Sequence, residues 1–178
     1  MPFTEKDVRH VVDKHRRLQM EGGDAAALLD YFDKLRRENV DFFYVHRTDQ
    51  FGYLTDVIWV EARSRAAYEE FGDVVCFDST YLTNEYKLPF ANFVGVNHHG
   101  QSTLLGCALI SSEDANTYHW LFSQWLLCMH GKAPIGILTY QAPVFRTPLE
   151  ELMPNTKHRW CIWHILSKLS RKCKKVER

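Results

Sequence analysis

The sequence has no net charge, no Cys-x-x-Cys pair and no long apolar run. Lys and Arg number 22, as do Asp and Glu, so the whole-chain balance gives no reason to expect nucleic acid or a membrane as a partner. The five cysteines are an odd, widely spaced set, which argues against a secreted disulfide scaffold. No stretch approaches the roughly 18 apolar residues of a membrane helix, and the charged N-terminus has no apolar signal segment. These absences predict a soluble, intracellular protein.

The chain is 178 residues long and 46% hydrophobic, which suits one packed domain with a small addition. Before residue 73, hydrophobic periodicity predicts two helices, a β-hairpin and a third helix, which form a small N-terminal α+β lobe over 1–72. The first helix is expected over 5–20, and the second begins at the capping residue Asp24. The strands of the hairpin are expected over 42–46 and 54–60, and the third helix over 61–71, closed by Gly72.

Residues 73–178 have a second, more regular pattern. Three apolar strands are predicted in succession, with short polar connections typical of antiparallel hairpins, and they are followed by an aromatic helix, two more strands and a last helix. The three strands are expected over 74–77, 90–96 and 104–110, and the aromatic helix from 111 to near His130. The two later strands are expected over 135–139 and 159–162, and the last helix over 163–169. This order predicts a ribonuclease-H-like α/β domain, with three antiparallel strands plus parallel strands in a mixed sheet and helices on its faces. Pro143 and Pro148 are expected to break a helix before the last strand.

Asp78 places a carboxylate at the end of the first strand of this domain, directly after an apolar run. Because a buried Asp needs a reason, two interpretations are open. It either binds divalent cations, as in ribonuclease-H-like phosphoryl transferases, or caps the turn at Ser79 and Thr80. A two-metal site needs a second carboxylate at the end of the fourth strand, where Tyr140 stands. Tyrosine is neutral at pH 7, so the residues predict no active site of that kind.

Cys161 and His164 have the Cys-x-x-His spacing found in many zinc sites. Two ligands are fewer than a structural zinc site needs, and the favoured alternative is a strand-to-helix junction packed by the neighbouring tryptophans. No metal is therefore expected in this chain, with Cys161 and His164 as the weak candidates. The pair His98 and His99 is expected at a hairpin tip, where polar turn residues are common.

Positive charge is concentrated at the C-terminus of this neutral chain. Residues 165–178 contain six Lys and Arg and one Glu, which leaves 16 basic and 21 acidic residues before them. Such a cluster suits phosphate contact or nuclear import, and a solvated helix end, where cations favour the helix dipole, is an equal alternative. The candidate residues for DNA or phosphate contact are Lys168, Arg171, Lys172, Lys174 and Lys175.

Several long motifs of the chain match one known pattern. They are the residues 71–84, 89–91 with 93–101, 105–111, 120–122 and 158–164. With these motifs the chain resembles the plant far-red-impaired-response family, whose members are similar to Mutator-like-element transposases and are regarded as domesticated from them. The resemblance covers nearly the whole chain, including the N-terminal lobe, and corresponds to the central, transposase-like domain of the family.

The resemblance implies a nuclear transcription regulator, which in the best-known members takes part in light control of development. Longer members carry an N-terminal zinc-binding DNA-recognition domain and a C-terminal zinc finger of the SWIM type, so zinc is expected there and no cofactor is expected in this chain. Asp78 matches the first acidic position of the transposase pattern, and Tyr140 stands at the second. Cys161 and His164 match it only as a remnant, and the third acid would lie past the end of the chain.

Together these features predict a catalytically inactive transposase-derived domain that is incomplete at its C-terminal end. The expected partners are DNA, bound weakly or through domains outside this chain, and other family members or transcription factors, with no membrane partner. One alternative is a metal-dependent Mutator-like DNA transposase. Another is a truncated fragment without a function of its own, and the altered stretch 140–148 also fits a splicing or gene-prediction error.

Overall fold

A computed structural model describes residues 23–80, 84, 86 and 88–176, with side chains as far as Leu169. Within these ranges the elements in chain order are α1 (Asp24–Glu38), β1 (Phe43–Thr48), β2 (Leu54–Val60), α2 (Ala62–Phe71), β3 (Val74–Thr80), β4 (Phe90–Val96), β5 (Ser102–Leu109), α3 (Ala115–Cys128), β6 (Gly136–Thr139), a 3-10 turn (Pro143–Phe145), α4 (Arg146–Leu152), β7 (Lys157–Trp160) and α5 (Ile162–Val176). The helix expected over 5–20 lies outside the described residues. No helix in the described part of the chain combines the length and the apolar character needed to cross a bilayer.

All seven strands belong to one mixed sheet with the order β1-β2-β5-β4-β3-β6-β7. The pairs from β1 to β3 are antiparallel, whereas β6 and β7 extend the sheet parallel to β3. Cys76 lies at the centre of β3, opposite Val94 of β4 on one side and Leu138 of β6 on the other. Three antiparallel strands extended by parallel strands, which need crossover connections, form the ribonuclease-H-like arrangement. The predicted fold class is therefore confirmed.

The N-terminal hairpin continues the same sheet, because β2 pairs antiparallel with β5. Helix α1 covers this end of the sheet through the buried Phe32. The ring of Phe32 lies 5.3 Å from that of Tyr44 and 5.4 Å from that of Trp59, within the range of favourable aromatic contacts. The division into two domains after residue 72 stays a prediction, and the sheet itself runs through both parts.

The main core lies between the sheet and α3. Trp125 of α3 stacks on Phe93 of β4, with ring centroids 4.5 Å apart and an interplanar angle of 2°. Gly106 of β5 makes room for this indole, since a Cβ at that position would lie 3.2 Å from a carbon of the Trp125 ring. Phe77 of β3 packs 4.9 Å from both Phe93 and Phe122. This aromatic packing holds β3 against α3 and so fixes the positions of the residues that follow Phe77.

Several predicted element ends differ from the structure. Gly23, not Asp24, is the N-cap of α1, and it has no side chain that could accept a capping hydrogen bond. The Asp24 carboxylate accepts a hydrogen bond from the hydroxyl of Tyr86. Strand β3 runs on to Thr80, which pairs with Phe90 of β4. The last strand, β7, begins two residues earlier than expected, and α5 begins at the residue where that strand was expected to end.

The prediction that Pro143 and Pro148 break the helix before the last strand is wrong. A 3-10 turn begins at Pro143 and continues into α4. Pro148 lies in the first turn of α4, where backbone N–H groups have no acceptor within the helix, so a proline there loses no helical hydrogen bond. The intervening Phe145 is fully buried and lies 4.7 Å from the ring of Tyr118. A short helix therefore does pack beside the candidate site.

Candidate functional site

Asp78 lies on the face of the sheet opposite α3. Side chains alternate between the two faces along a strand, and Val75 and Phe77 are buried on the side of α3, so Asp78 projects to the other side. Its Oδ1 lies 3.7 Å from Nε2 of His164 in the first turn of α5. The same oxygen accepts a hydrogen bond from the backbone N–H of Ser79 at 3.0 Å. Asp78 therefore faces an imidazole and lies within β3 rather than in a turn.

The surroundings of Asp78 disfavour its charged form. Burial raises the pKa of this carboxyl above its ordinary value, and the neighbouring carboxylate of Glu113 adds to the rise. The imidazole of His164 and the N–H of Ser79 act in the opposite direction without cancelling the rise. A raised pKa means that the protonated carboxyl is favoured relative to an exposed Asp. Asp78 is therefore a partly buried carboxyl whose neighbours are an imidazole and a second carboxylate.

Three hydroxyl groups and one carboxylate meet on the α3 side of β3. This hydroxyl cluster consists of Ser79, Glu113, Tyr118 and Tyr140. The Glu113 carboxylate accepts hydrogen bonds from the Ser79 hydroxyl and, at 3.1 Å, from the Tyr140 hydroxyl. The hydroxyl oxygens of Tyr118 and Tyr140 lie 2.9 Å apart, and the Ser79 Oγ lies 3.2 Å from that of Tyr118. The three hydroxyls are therefore hydrogen-bonded to one another, and two of them, those of Ser79 and Tyr140, also donate to the Glu113 carboxylate.

Tyr140 follows β6 directly and joins this cluster. Burial raises the pKa of Tyr140 and of Tyr118, so both phenols stay neutral at physiological pH. The Tyr140 ring packs edge-on against Phe145 at 4.8 Å and lies 6.0 Å from the imidazole of His164. A carboxylate at position 140 would add negative charge next to Glu113, whereas the phenol donates a hydrogen bond to it. Position 140 thus presents a hydrogen-bond donor to Glu113.

Glu113 is the functional candidate that the sequence reasoning missed. It directly precedes Asp114, the N-cap of α3, whose Oδ1 accepts the backbone N–H of Thr117 at 2.8 Å. Sequence inspection finds the helix start at this point but not the distance from β3, since Ser79 and Glu113 are 34 residues apart. The sequence feature that could have indicated Glu113 is its position as an acidic residue just before the N-cap of α3, the helix that packs over β3.

The residues present do not fit a two-metal centre. Such a centre needs several carboxylate oxygens that converge on the cations. Asp78 faces His164, and Glu113 already accepts hydrogen bonds from Ser79 and Tyr140. Over the residues that the structure describes, no group of three or more His, Cys, Asp or Glu side chains is arranged to hold a metal ion.

Cys161 and His164 contact two different residues of β3. Cys161 lies beside Cys76, where burial and then the neighbouring Cys161 raise the pKa of the Cys76 thiol to about 11. His164, one turn further along, faces Asp78. The backbone N–H of Cys161 also donates to the carbonyl of Thr139 at 2.8 Å. Through these contacts the Cys-x-x-His pair joins the end of β7 and the start of α5 to the middle of the sheet.

The paired histidines lie in the turn between β4 and β5, as expected. The Asn97 side chain closes this turn, because its Oδ1 accepts the backbone N–H of His99 at 2.9 Å and that of Gln101 at 3.0 Å. The ring of His98 packs edge-on against Phe71 at 5.0 Å. Both histidines therefore have local surroundings typical of a turn.

The basic candidates of the C-terminal segment all lie on α5. Lys168 is exposed, and its Nζ lies 3.5 Å from the carbonyl oxygen of Gln141. The rest of the same helix carries the other four, which are Arg171, Lys172, Lys174 and Lys175. All five therefore belong to one helix, C-terminal to His164.

Comparison with known proteins identifies the family. Residues 74–168 match the MULE transposase domain. Three proteins of Arabidopsis thaliana are similar over nearly the whole chain: Protein FAR-RED IMPAIRED RESPONSE 1 is 45% identical over 94% of it, FAR1-RELATED SEQUENCE 5 is 39% identical over 98%, and FAR1-RELATED SEQUENCE 4 is 38% identical over 96%. These matches cover 20%, 22% and 23% of the relatives' own lengths, so the chain spans about a fifth of each. The chain belongs to the MULE transposase domain family, in the group formed by the far-red-impaired-response proteins of plants.

Proposed function

We propose that this chain is the catalytically inactive, transposase-derived domain of a nuclear transcription regulator that acts in light-responsive development. The observation that carries the proposal is the neutral phenol of Tyr140, which donates a hydrogen bond to Glu113, at the position where the resemblance implies a second acid. The name of the first relative above refers to a far-red response, which supports the link to light.

The loss of activity follows from the charge that metal-dependent phosphoryl transfer requires. Two divalent cations stabilise the attacking and leaving oxygens only when carboxylates hold both of them close together. Here Asp78 faces His164, and Glu113 is hydrogen-bonded within the hydroxyl cluster. Position 140 offers a neutral phenol, so it supplies no second carboxylate that could share a cation with either of them.

Calorimetric titration with Mn²⁺ tests this part of the proposal. We expect negligible and equal heats for the wild-type chain and for Asp78→Ala, because Asp78 and Glu113 do not converge on one cation. Tyr140→Asp serves as the matched gain-of-site variant and should show a measurable, saturable heat. If the wild-type chain gave such a heat and Asp78→Ala abolished it, the alternative function of a metal-dependent transposase would replace this one.

The regulatory part of the proposal concerns a longer protein, because the chain spans about a fifth of its relatives. In that setting the domain serves as a scaffold that contacts other family members or transcription factors. Zinc and sequence-specific DNA recognition belong to flanking modules of longer family members, and this chain requires no cofactor. The basic residues of α5 supply weak DNA contact or nuclear import.

DNA binding through α5 is expected to be weak and independent of sequence. With five cations on phosphates, raising the salt from 50 to 200 mM should lower the binding constant by a few hundredfold, on the order of the counterion-release slope. Replacing Lys168, Arg171, Lys172, Lys174 and Lys175 with Gln should remove most of the binding in fluorescence anisotropy with a random duplex. The control replaces Lys34, Arg36 and Arg37 of α1 with Gln. Binding that survives the α5 substitutions and the added salt would place the DNA contact elsewhere.

A further inference from the structure

Two cysteine side chains meet on the face of the sheet opposite α3. Cys76 lies on β3 and Cys161 directly precedes α5, and the Cys161 thiol is close enough to hydrogen-bond with that of Cys76. Both are free and partly exposed, whereas Cys107 and Cys128, the other cysteines in the described part of the chain, are free and buried. The two thiols that solvent can reach are therefore also the two that lie next to each other.

The contact between His164 and Asp78 explains why these cysteines are neighbours. Cys76 lies two residues before Asp78, and alternate residues of a strand share one face. Cys161 lies three residues before His164, and residues at this spacing share one side of a helix. His164 Nε2 lies 3.7 Å from Asp78 Oδ1, so the same docking of α5 on β3 brings one cysteine over the other. A hydrogen bond of 2.8 Å from the Cys161 backbone N–H to the carbonyl of Thr139, on the strand next to β3, holds this position.

The surroundings of Cys76 determine the order in which the two thiols react. Burial and then the neighbouring Cys161 raise the pKa of the Cys76 thiol to about 11. Because the thiolate is the nucleophilic form, Cys76 is the slower of the two to attack an oxidant. Cys76 also lines an open cavity of about 280 Å³, together with the apolar Val74, Val94 and Leu138. A small uncharged oxidant can therefore reach the pair, and Cys161 is the thiol that it meets in reactive form.

We propose that Cys76 and Cys161 form a reversible disulfide when the protein meets hydrogen peroxide, and that this bond ties β3 to the start of α5. The Cys161 thiolate attacks one oxygen of the peroxide, the O–O bond breaks, hydroxide leaves and a sulfenic acid forms. The Cys76 thiol then attacks the Cys161 sulfur, the S–O bond breaks and water leaves. The peroxide gains two electrons, which the two sulfurs supply. Exchange with a reducing thiol restores both cysteines.

The bond would restrain a helix that otherwise meets β3 through non-covalent contacts such as that between His164 and Asp78. It would close a loop of 85 residues between positions 76 and 161. A loop of this length lowers the entropy of the unfolded chain, so oxidation should raise the melting temperature by on the order of 10 °C. This proposal is independent of the metal and DNA questions above, since it involves neither a cation nor the basic residues of α5.

The test treats the reduced, folded chain with one equivalent of hydrogen peroxide and follows it by mass spectrometry of the intact chain and of its peptides. We expect the loss of two hydrogen atoms, located in a crosslinked peptide pair that contains Cys76 and Cys161 and reversed by dithiothreitol. Cys161→Ser should remove this product. Cys76→Ser should leave Cys161 as a sulfenic acid that dimedone traps, and peroxide should no longer raise the melting temperature. The matched control is Cys173→Ser, which should give the same crosslink as the wild-type chain.

Three outcomes would overturn the proposal. The first is a wild-type chain that keeps a dimedone-reactive sulfenic acid and loses no hydrogen, because the second thiol is then out of reach. The second is a crosslink from Cys161 to Cys173 or to a second copy of the chain. The third is a Cys76–Cys161 crosslink that forms only in urea, which would make it a property of the unfolded chain. Mapping of the wild-type product decides among these even where circular dichroism shows that a variant is not folded.

Discussion

Asp56→Ala is expected to lower the free energy of unfolding by about 3 kcal/mol, near the lower end of the loss for breaking a buried ion pair. The Asp56 side chain is only 2% exposed, and both of its oxygens are used. Oδ2 accepts a hydrogen bond from Nε of Arg47 at 3.0 Å and forms an ion pair with its Nη2 at 2.9 Å. Oδ1 accepts the backbone N–H and the hydroxyl of Ser111 at 2.8 and 3.1 Å.

The size of this effect comes from the groups that would be left without a partner. Arg47 also lies over the ring of Trp120, with its guanidinium carbon 4.5 Å from the centroid, so it cannot turn to solvent without losing that contact. The N–H of Ser111 would lose its acceptor in the partly buried connection between β5 and α3. Asp56 therefore links the N-terminal hairpin to the start of the crossover to α3.

Urea unfolding followed by tryptophan fluorescence measures the loss, and the melting temperature should fall by about 9 °C for a chain of this size. The control is Glu150→Ala, which removes the exposed pair with Arg146 and should cost less than about 1 kcal/mol. The double variant Arg47→Met, Asp56→Leu should be more stable than Asp56→Ala alone, because it leaves no unpaired charge. A loss for Asp56→Ala no greater than that of the control would contradict the assignment.

Phe77→Ala is expected to cost about 4 kcal/mol, within the range for deleting a buried aromatic ring. Phe77 is 1% exposed and contacts rings from three different parts of the core. Its centroid lies 4.9 Å from Phe93, 4.9 Å from Phe122 and 5.8 Å from Phe145. The cavity would open between β3, β4, α3 and the 3-10 turn, where several elements would have to move together to fill it.

The same unfolding measurement tests this prediction, with Val74→Ala as the control. Val74 lies on the same strand but is half exposed, so its truncation should change stability by less than about 1 kcal/mol. Phe77→Leu should fall between the two, since it keeps part of the apolar volume. Equal losses for Phe77→Ala and Val74→Ala would show that β3 is not held by this aromatic packing.

Phe77 also connects stability to the candidate site, because Asp78 and Ser79 follow it on β3. In Phe77→Ala the distances from Ser79 to Glu113 and Tyr118 should increase, because the core around β3 is less tightly packed. A functional assay of the cluster should therefore use substitutions at Tyr140 or Glu113, which leave the packing of Phe77 in place.

Much of the fold could be predicted because each element has its own periodicity. The three antiparallel strands from β3 to β5, the aromatic helix α3 and strand β6 follow from apolar alternation and helical spacing. Pro148 was misjudged because its effect depends on its position within a helix: in the first turn a proline costs no hydrogen bond, and only the structure shows that α4 begins at Arg146. Asp24 was misjudged because the helix begins at this residue rather than after it, and its carboxylate has a distant partner, Tyr86.

The candidate site was predicted only in part, because it is assembled from residues far apart in the chain. Asp78 and Tyr140 could be compared with a pattern one position at a time. Glu113 could not, since nothing in the local sequence indicates that it accepts hydrogen bonds from Ser79 and Tyr140. The contact of His164 on α5 with Asp78 on β3 likewise joins residues that are far apart in the chain.

The sequence by itself determined the class of the fold, the absence of a carboxylate at position 140 and the concentration of positive charge after residue 164, because these depend on residue type and spacing alone. The tertiary structure decided which groups meet: Tyr140 with Glu113, Asp56 with Arg47, and His164 with Asp78. The physical reason is that hydrogen bonds and ion pairs act over a few ångströms, and only the folded chain brings residues separated by 9 to 86 positions within that distance.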